Sequence, residues 1–130
     1  MKFGINNLTK SKIDKKFLGK VAKKTVQELK LKKFDEISIV IVGDKRIKSL
    51  NKKYLKRNRV TDVLAFDYGE IFICLPQAKK QAKEMGHSVK EELAILLIHG
   101  ILHLSGYDDK TKISYNKMVN KQKEIWQKLI

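Results

Sequence analysis

Leu93 to Asp109 reads Leu-Ala-Ile-Leu-Leu-Ile-His-Gly-Ile-Leu-His-Leu-Ser-Gly-Tyr-Asp-Asp, and the rest of the chain is organised around it. Leu93 to Leu102 is apolar almost all round, the pattern of a buried central helix rather than a surface one. His99 and His103 fall four apart at its end, on one helix face, with Cβ atoms about 5–6 Å apart. Two imidazoles so spaced can grip one metal ion. Gly106 is suited to end the helix in the left-handed conformation and turn the chain back. That return brings Asp109 or Asp108 toward the same point. A catalytic zinc takes three protein ligands and keeps one position open, and His99, His103 and Asp109 supply three. The plainer alternative is a core histidine, with Asp109 capping the last helix two residues before Thr111.

Working outward, Ser88-Val89-Lys90-Glu91 is a capping box that opens this helix. His87, at the far end from His99, reads as a surface residue. Pro76 suits the first position of a helix running to about Met85, with Gly86 as its stop. Thr61 to Phe66 and Glu70 to Leu75 read as strands of a hairpin across Asp67-Tyr68-Gly69. Lys56-Arg57-Asn58-Arg59 is a basic loop. Before it, Ile47, Leu50, Tyr54 and Leu55 give the apolar side of a helix that Asp44 is suited to cap. Ile37 to Val42 is β-branched and nearly continuous, so it reads as a buried strand. Lys12 to Leu31 reads as an amphipathic helix with Ser11 as its cap, and Lys2 to Leu8 as a first strand. After the paired aspartates, Tyr115, Met118, Val119, Gln122, Trp126 and Leu129 mark a last amphipathic helix. Helices and strands are mixed in order, so the expected fold class is α+β. It is a single domain over 1–130: a small mixed sheet flanked by helices, with the metal site at the end of the buried central helix.

The formal net charge is +15, from 29 Lys and Arg against 14 Asp and Glu. A basic excess of that size points to a polyanionic partner, of which nucleic acid fits best. Only three of the cations are arginines, Arg46, Arg57 and Arg59; lysine bias alone is the competing explanation. No helical segment segregates a lipid-facing aromatic stripe, and no apolar run is long enough to span a bilayer. Asn6 and Asn7 stand where a signal peptide needs an apolar core. The lone Cys74 fits a reducing compartment. The expected location is the cytoplasm, with no membrane partner.

The spacing from His99 to Asp109 also resembles metzincin peptidases. Those place a general-base Glu after the first His, where this chain has Gly100. A closer resemblance is to the YbeY family of endoribonucleases and rRNA maturation factors. His99 to Asp109 resembles the family's H-G-x-L-H-L-x-G-Y-D-H signature. Leu50-Asn51 through Tyr54 resembles L-N-x-x-Y/F, Thr61 to Phe66 resembles T-D-V-L-S-F, and Gly69 to Cys74 resembles G-D-I-x-I-C. These segments match in order across most of the chain.

The resemblance implies a four-stranded mixed sheet with zinc held by the signature block. It implies a zinc-dependent endoribonuclease specific for single-stranded RNA. It further implies roles in 16S rRNA 3′-end maturation and ribosome quality control, with rRNA and the small ribosomal subunit as partners and no DNA. Two positions depart from the family. The usual third ligand is His and here it is Asp109; a carboxylate still holds Zn²⁺, and it makes Mn²⁺ or Mg²⁺ more suitable than three imidazoles would. The Arg that commonly follows the aromatic of L-N-x-x-Y/F is Leu55, leaving Lys56, Arg57 or Arg59 to bind phosphate. On this reading His99 and His103 are catalytic as well as metal-binding. Arg57 and Arg59 stabilise charge on the phosphate, and Asp108 orients a ligand or the water. The rival from another class is a non-catalytic ribosome-assembly factor with a structural metal.

Overall fold

The computed structural model describes residues 1–130. Four strands form one open sheet: β1 (Lys2–Asn7), β2 (Glu36–Val42), β3 (Val63–Phe66) and β4 (Glu70–Cys74). Their order is β1-β2-β4-β3, with β1, β2 and β4 parallel and β3 antiparallel to β4. Five helices accompany them: α1 (Lys15–Leu29), α2 (Asp44–Leu55), α3 (Leu75–Met85), α4 (Val89–Leu104) and α5 (Lys112–Leu129). No helix is long and apolar enough to cross a membrane.

The nearly continuous apolar run of β2 follows from its central place. Ile37, Ile39 and Ile41 face the main core together with Ile71 and Ile73 of β4. The alternate residues Val40 and Val42 face a second, smaller core with Leu64, Cys74 and Ile47 of α2. Successive side chains of a strand point to opposite faces, so a strand covered on both sides loses its apolar–polar alternation. The main core lies under α1, α4 and α5, and α2 covers the other face alone.

α4 runs through the main core and touches α1, α3, α5, β3 and β4. Leu97, Ile98, Ile101 and Leu102 are fully buried, and each such side chain contributes about 1.5–3 kcal/mol. The helix sits close on the sheet because of Gly100. A Cβ there would lie 2.9 Å from Cγ2 of Ile71. The same contact leaves no room for the glutamate that a metzincin base requires at this position.

Ser88 caps α4 by accepting from the Glu91 backbone N–H at 3.0 Å. The Glu91 carboxylate does not close the box; it lies 2.9 Å from Nδ1 of His87. His87 is correspondingly a half-buried bridge, with Nε2 2.6 Å from the buried Glu92. Burial pushes the Glu92 carboxyl above its ordinary pKa.

Other element ends differ from the sequence reading. α1 begins at Lys15 because Asp14, not Ser11, accepts from Phe17 N–H at 3.0 Å. Ser11 instead belongs to a turn closed by Asn7, whose Nδ2 donates to the Ser11 carbonyl at 2.6 Å. Gly43 precedes α2 without a side-chain cap, and the Asp44 carboxylate accepts from Cys74 Sγ at 3.2 Å. Thr111, rather than Asp109, caps α5 through a reciprocal pair with Ser114. On α5 the buried residues are Met118 and Ile125, while Tyr115 faces outward.

Candidate active site

The histidine pair occupies the last two turns of α4. Beyond it Gly106 adopts φ +104°, and the Tyr107 N–H reaches back to the Leu102 carbonyl at 3.0 Å. The chain then returns past Asp108 and Asp109 into α5. His99, His103 and Asp109 line one cavity of about 250 Å³, with Arg57, Arg59 and Asn51 on its wall. The cavity lies where the end of α4 meets β3 and the loop that follows α2.

Each histidine is held from behind. Gln122 of α5 presents Oε1 to His99 Nδ1 at 3.0 Å. The Tyr107 backbone stands close to His103. The two Nε2 atoms face each other at 3.1 Å, and when each ring carries its proton on Nδ1 both lone pairs point into the gap. Two lone pairs at that distance repel unless a proton or a cation lies between them. In a tetrahedral zinc site with Zn–N of 2.0–2.1 Å, ligand nitrogens are about 3.3 Å apart. The histidine pair therefore fits two corners of a divalent cation site. No three His, Cys, Asp or Glu side chains come close enough together to complete a donor set. Asp109 stands on the same wall without closing it.

Burial pushes the His103 pKa below its ordinary value, with His99 adding to the effect and Asp109 opposing it. The imidazole is thus kept neutral, the form in which it binds a metal.

The basic loop is anchored by Asn51, a buried residue of α2. Its backbone carbonyl accepts from Arg57 N–H at 3.2 Å, and its Nδ2 donates to the Arg59 carbonyl at 3.0 Å. Lys56 allows the turn by adopting φ +59°. The two arginines are thereby brought to the cavity, and neither enters an ion pair with a carboxylate. Asp62 also lines the cavity, but both its carboxylate oxygens are engaged, by Val63 N–H at 2.8 Å and Gln81 Nε2 at 3.1 Å.

Five of the six residues singled out in the sequence converge here: His99, His103, Asp109, Arg57 and Arg59. Asp108 does not. Its carboxylate accepts from Lys110 N–H at 3.0 Å, and it lines a separate depression with Ser105 and Lys117. The place behind a histidine that was expected for Asp108 is taken by Gln122. Gln122 was legible only as one more position on an amphipathic face, and Asn51 only as part of a motif.

Comparison with known proteins gives the same arrangement a lineage. The family model described as endoribonuclease YbeY matches residues 4–130. The chain belongs to the endoribonuclease YbeY family. An endoribonuclease YbeY of Sulfurihydrogenibium sp. is 41% identical, over 90% of this chain and 84% of the relative. That of Phytoplasma australiense is 34% identical, over 99% of this chain and 96% of the relative. The solution structure of a Thermotoga maritima protein superposes with a TM-score of 0.65 at 29% identity, covering 97% of this chain and 90% of that one. YbeY membership makes the chain an endoribonuclease and RNA its substrate class, and the metzincin alternative has no further support.

Proposed function

We propose that this protein is a metal-dependent endoribonuclease that cuts single-stranded RNA in the cavity between the end of α4 and the Arg57–Arg59 loop. The observation that carries the reading is the facing pair of Nε2 atoms, 3.1 Å apart, beside two unpaired arginines in one cavity. His99 and His103 would hold the ion, with Asp109 as the third protein ligand. Zn²⁺ suits the imidazoles, and the carboxylate leaves Mn²⁺ or Mg²⁺ as alternatives. A divalent cation there supplies Lewis-acid polarisation of the scissile phosphodiester.

The chain's own residues account for the rest. Arg57 and Arg59 present guanidinium donors to the phosphate and stabilise the charge that builds on it during cleavage. Asn51 fixes the loop that carries them. Gln122 and the Tyr107 backbone set the ring orientations, so that each Nε2 faces inward without a proton. The basic surface draws the polyanion toward the cavity. The substrate we assign is the 3′ end of small-subunit rRNA, in ribosome maturation and quality control in the cytoplasm.

The test is cleavage of an end-labelled single-stranded RNA by wild type and His103→Ala, purified identically. Cleavage by wild type alone is expected. Equal cleavage by both assigns the activity to a contaminating nuclease and overturns the reading.

A further inference from the structure

The sheet face toward α2 is only partly covered. The row formed by Val40, Phe72 and Leu64 borders the smaller core with Ile47 of α2. The next row, Gly4, Ser38, Glu70 and Phe66, lies toward the open end. At that end three aromatic rings gather. Phe66 packs edge-on to Phe72 at 5.9 Å, which ties it to the core. Tyr54, in the last turn of α2, meets Phe66 edge-to-face at 5.3 Å. Tyr68, in the hairpin turn, lies parallel to Phe66 at 5.8 Å with an interplanar angle of 11°. Tyr54 is 52% exposed and Tyr68 64% exposed.

These rings are held in place. The Tyr68 hydroxyl donates to Glu70 Oε1 at 2.9 Å, which fixes the ring plane against Phe66. Lys53 Nζ stands 5.2 Å from the Tyr54 ring centroid. A pre-set aromatic face loses little entropy when a flat ligand settles on it. The cluster lies on the α2 side of the cavity: Leu55, which lines the cavity, directly follows Tyr54 at the end of α2, and Leu64, which also lines it, shares the smaller core with Phe66. Lys52, Lys53 and Lys56 are exposed beside it.

We propose that Tyr54 and Tyr68, braced on Phe66, form a stacking platform for bases of single-stranded RNA leading out of the cleavage cavity. The proposal rests on the ribonuclease reading and adds how the strand is held. Single-strand binding combines cations that follow the backbone with aromatic faces on which successive bases stack. Both lie here on one surface. The platform reads no base edge, so it favours unpaired over paired RNA without choosing a sequence. A duplex keeps its bases stacked on one another and offers none to the rings.

The experiment uses fluorescence anisotropy with a fluorescein-labelled single-stranded decamer of 2′-O-methyl nucleotides, which resists cleavage. Tyr54→Ala and Tyr68→Ala are each expected to weaken binding roughly 5- to 100-fold, the usual loss per stacked base. Tyr68→Phe, which keeps the ring but not its hydrogen bond to Glu70, is expected to lose less affinity than Tyr68→Ala. A decamer of the same backbone lacking its bases binds wild type and both alanine variants alike. Unchanged affinity in both alanine variants overturns the platform, as does an equal loss on the base-free decamer. RNA cleavage by the same proteins separates the two readings. A wild type that cleaves while the alanine variants bind normally refutes the platform alone. A wild type that neither binds nor cleaves RNA refutes the ribonuclease reading and the platform with it. Thermal melts of each variant establish that it is folded.

Discussion

Gly100 lies between the two site histidines and sets how closely α4 approaches the sheet, so Gly100→Ala probes the seating of the site. The new Cβ would come within 2.9 Å of Cγ2 and 3.2 Å of Cδ1 of the fully buried Ile71. Overpacking of this kind costs about 1–3 kcal/mol. Replacing glycine by alanine inside a helix returns about 0.5–1 kcal/mol. The balance is a loss of about 0–2.5 kcal/mol, with its midpoint near 1 kcal/mol. With an unfolding entropy of about 2.1 cal/mol/K per residue, that midpoint lowers Tm by about 4–5 °C and the upper end by about 9 °C. Gly19→Ala in α1 is the control. Its Cβ would meet nothing nearer than Ile5 Cδ1 at 3.9 Å, so only the helical gain remains and Tm rises by about 2–4 °C. Circular dichroism melts of wild type and both variants read the two signs. A Gly100→Ala protein whose Tm rises as much as that of Gly19→Ala would refute the close packing of α4 on β4.

Three further expectations follow from particular contacts. Burial pushes the Cys74 thiol up to about 12, so Ellman's reagent at pH 8 should leave the native protein unmodified and titrate one thiol in guanidinium; rapid native reaction contradicts the buried placement. Glu28 is held below its ordinary pKa chiefly by Lys128, 2.7 Å away on α5. A depressed carboxyl binds fewer protons folded than unfolded, so its stabilisation is present above the unfolded value near 4.5 and lost as pH falls through the folded one. Glu28→Gln should therefore flatten the acid side of a Tm-against-pH curve, and less so in high salt; an unaltered curve removes the tie between α1 and α5. Gln122→Leu frees the His99 ring and should weaken metal binding roughly 10- to 100-fold by competitive chelator titration; unchanged affinity would leave Gln122 with a packing role only.

How much of this was legible in the sequence depended on how local the cause was. The two histidines share a face because helical periodicity puts them there, and no distant residue is needed to know it. The buried strand Ile37–Val42 was readable because its nearly continuous apolar run records its burial. The cap at Asp14 was not, since Ser11 is an equally good capping type and only the turn closed by Asn7 decides between them. Gln122 lies 23 residues beyond His99, and its role exists only once α5 has docked on α4. The Arg57–Arg59 loop was visible as charge, whereas its anchoring by Asn51 requires the left-handed turn at Lys56. The open half of the sheet face follows from the short length of α2 and from strand order, neither of which a single segment encodes.

Metal dependence is decided most directly by a zinc titration of chelator-stripped protein, with metal uptake and cleavage of a single-stranded RNA read on the same sample. The stripped protein should not cleave, and activity should rise with zinc to saturation near one ion per chain, with His99→Ala neither taking up the ion nor cutting. Full cleavage by the stripped wild type, or activity in His99→Ala equal to wild type, would contradict that dependence.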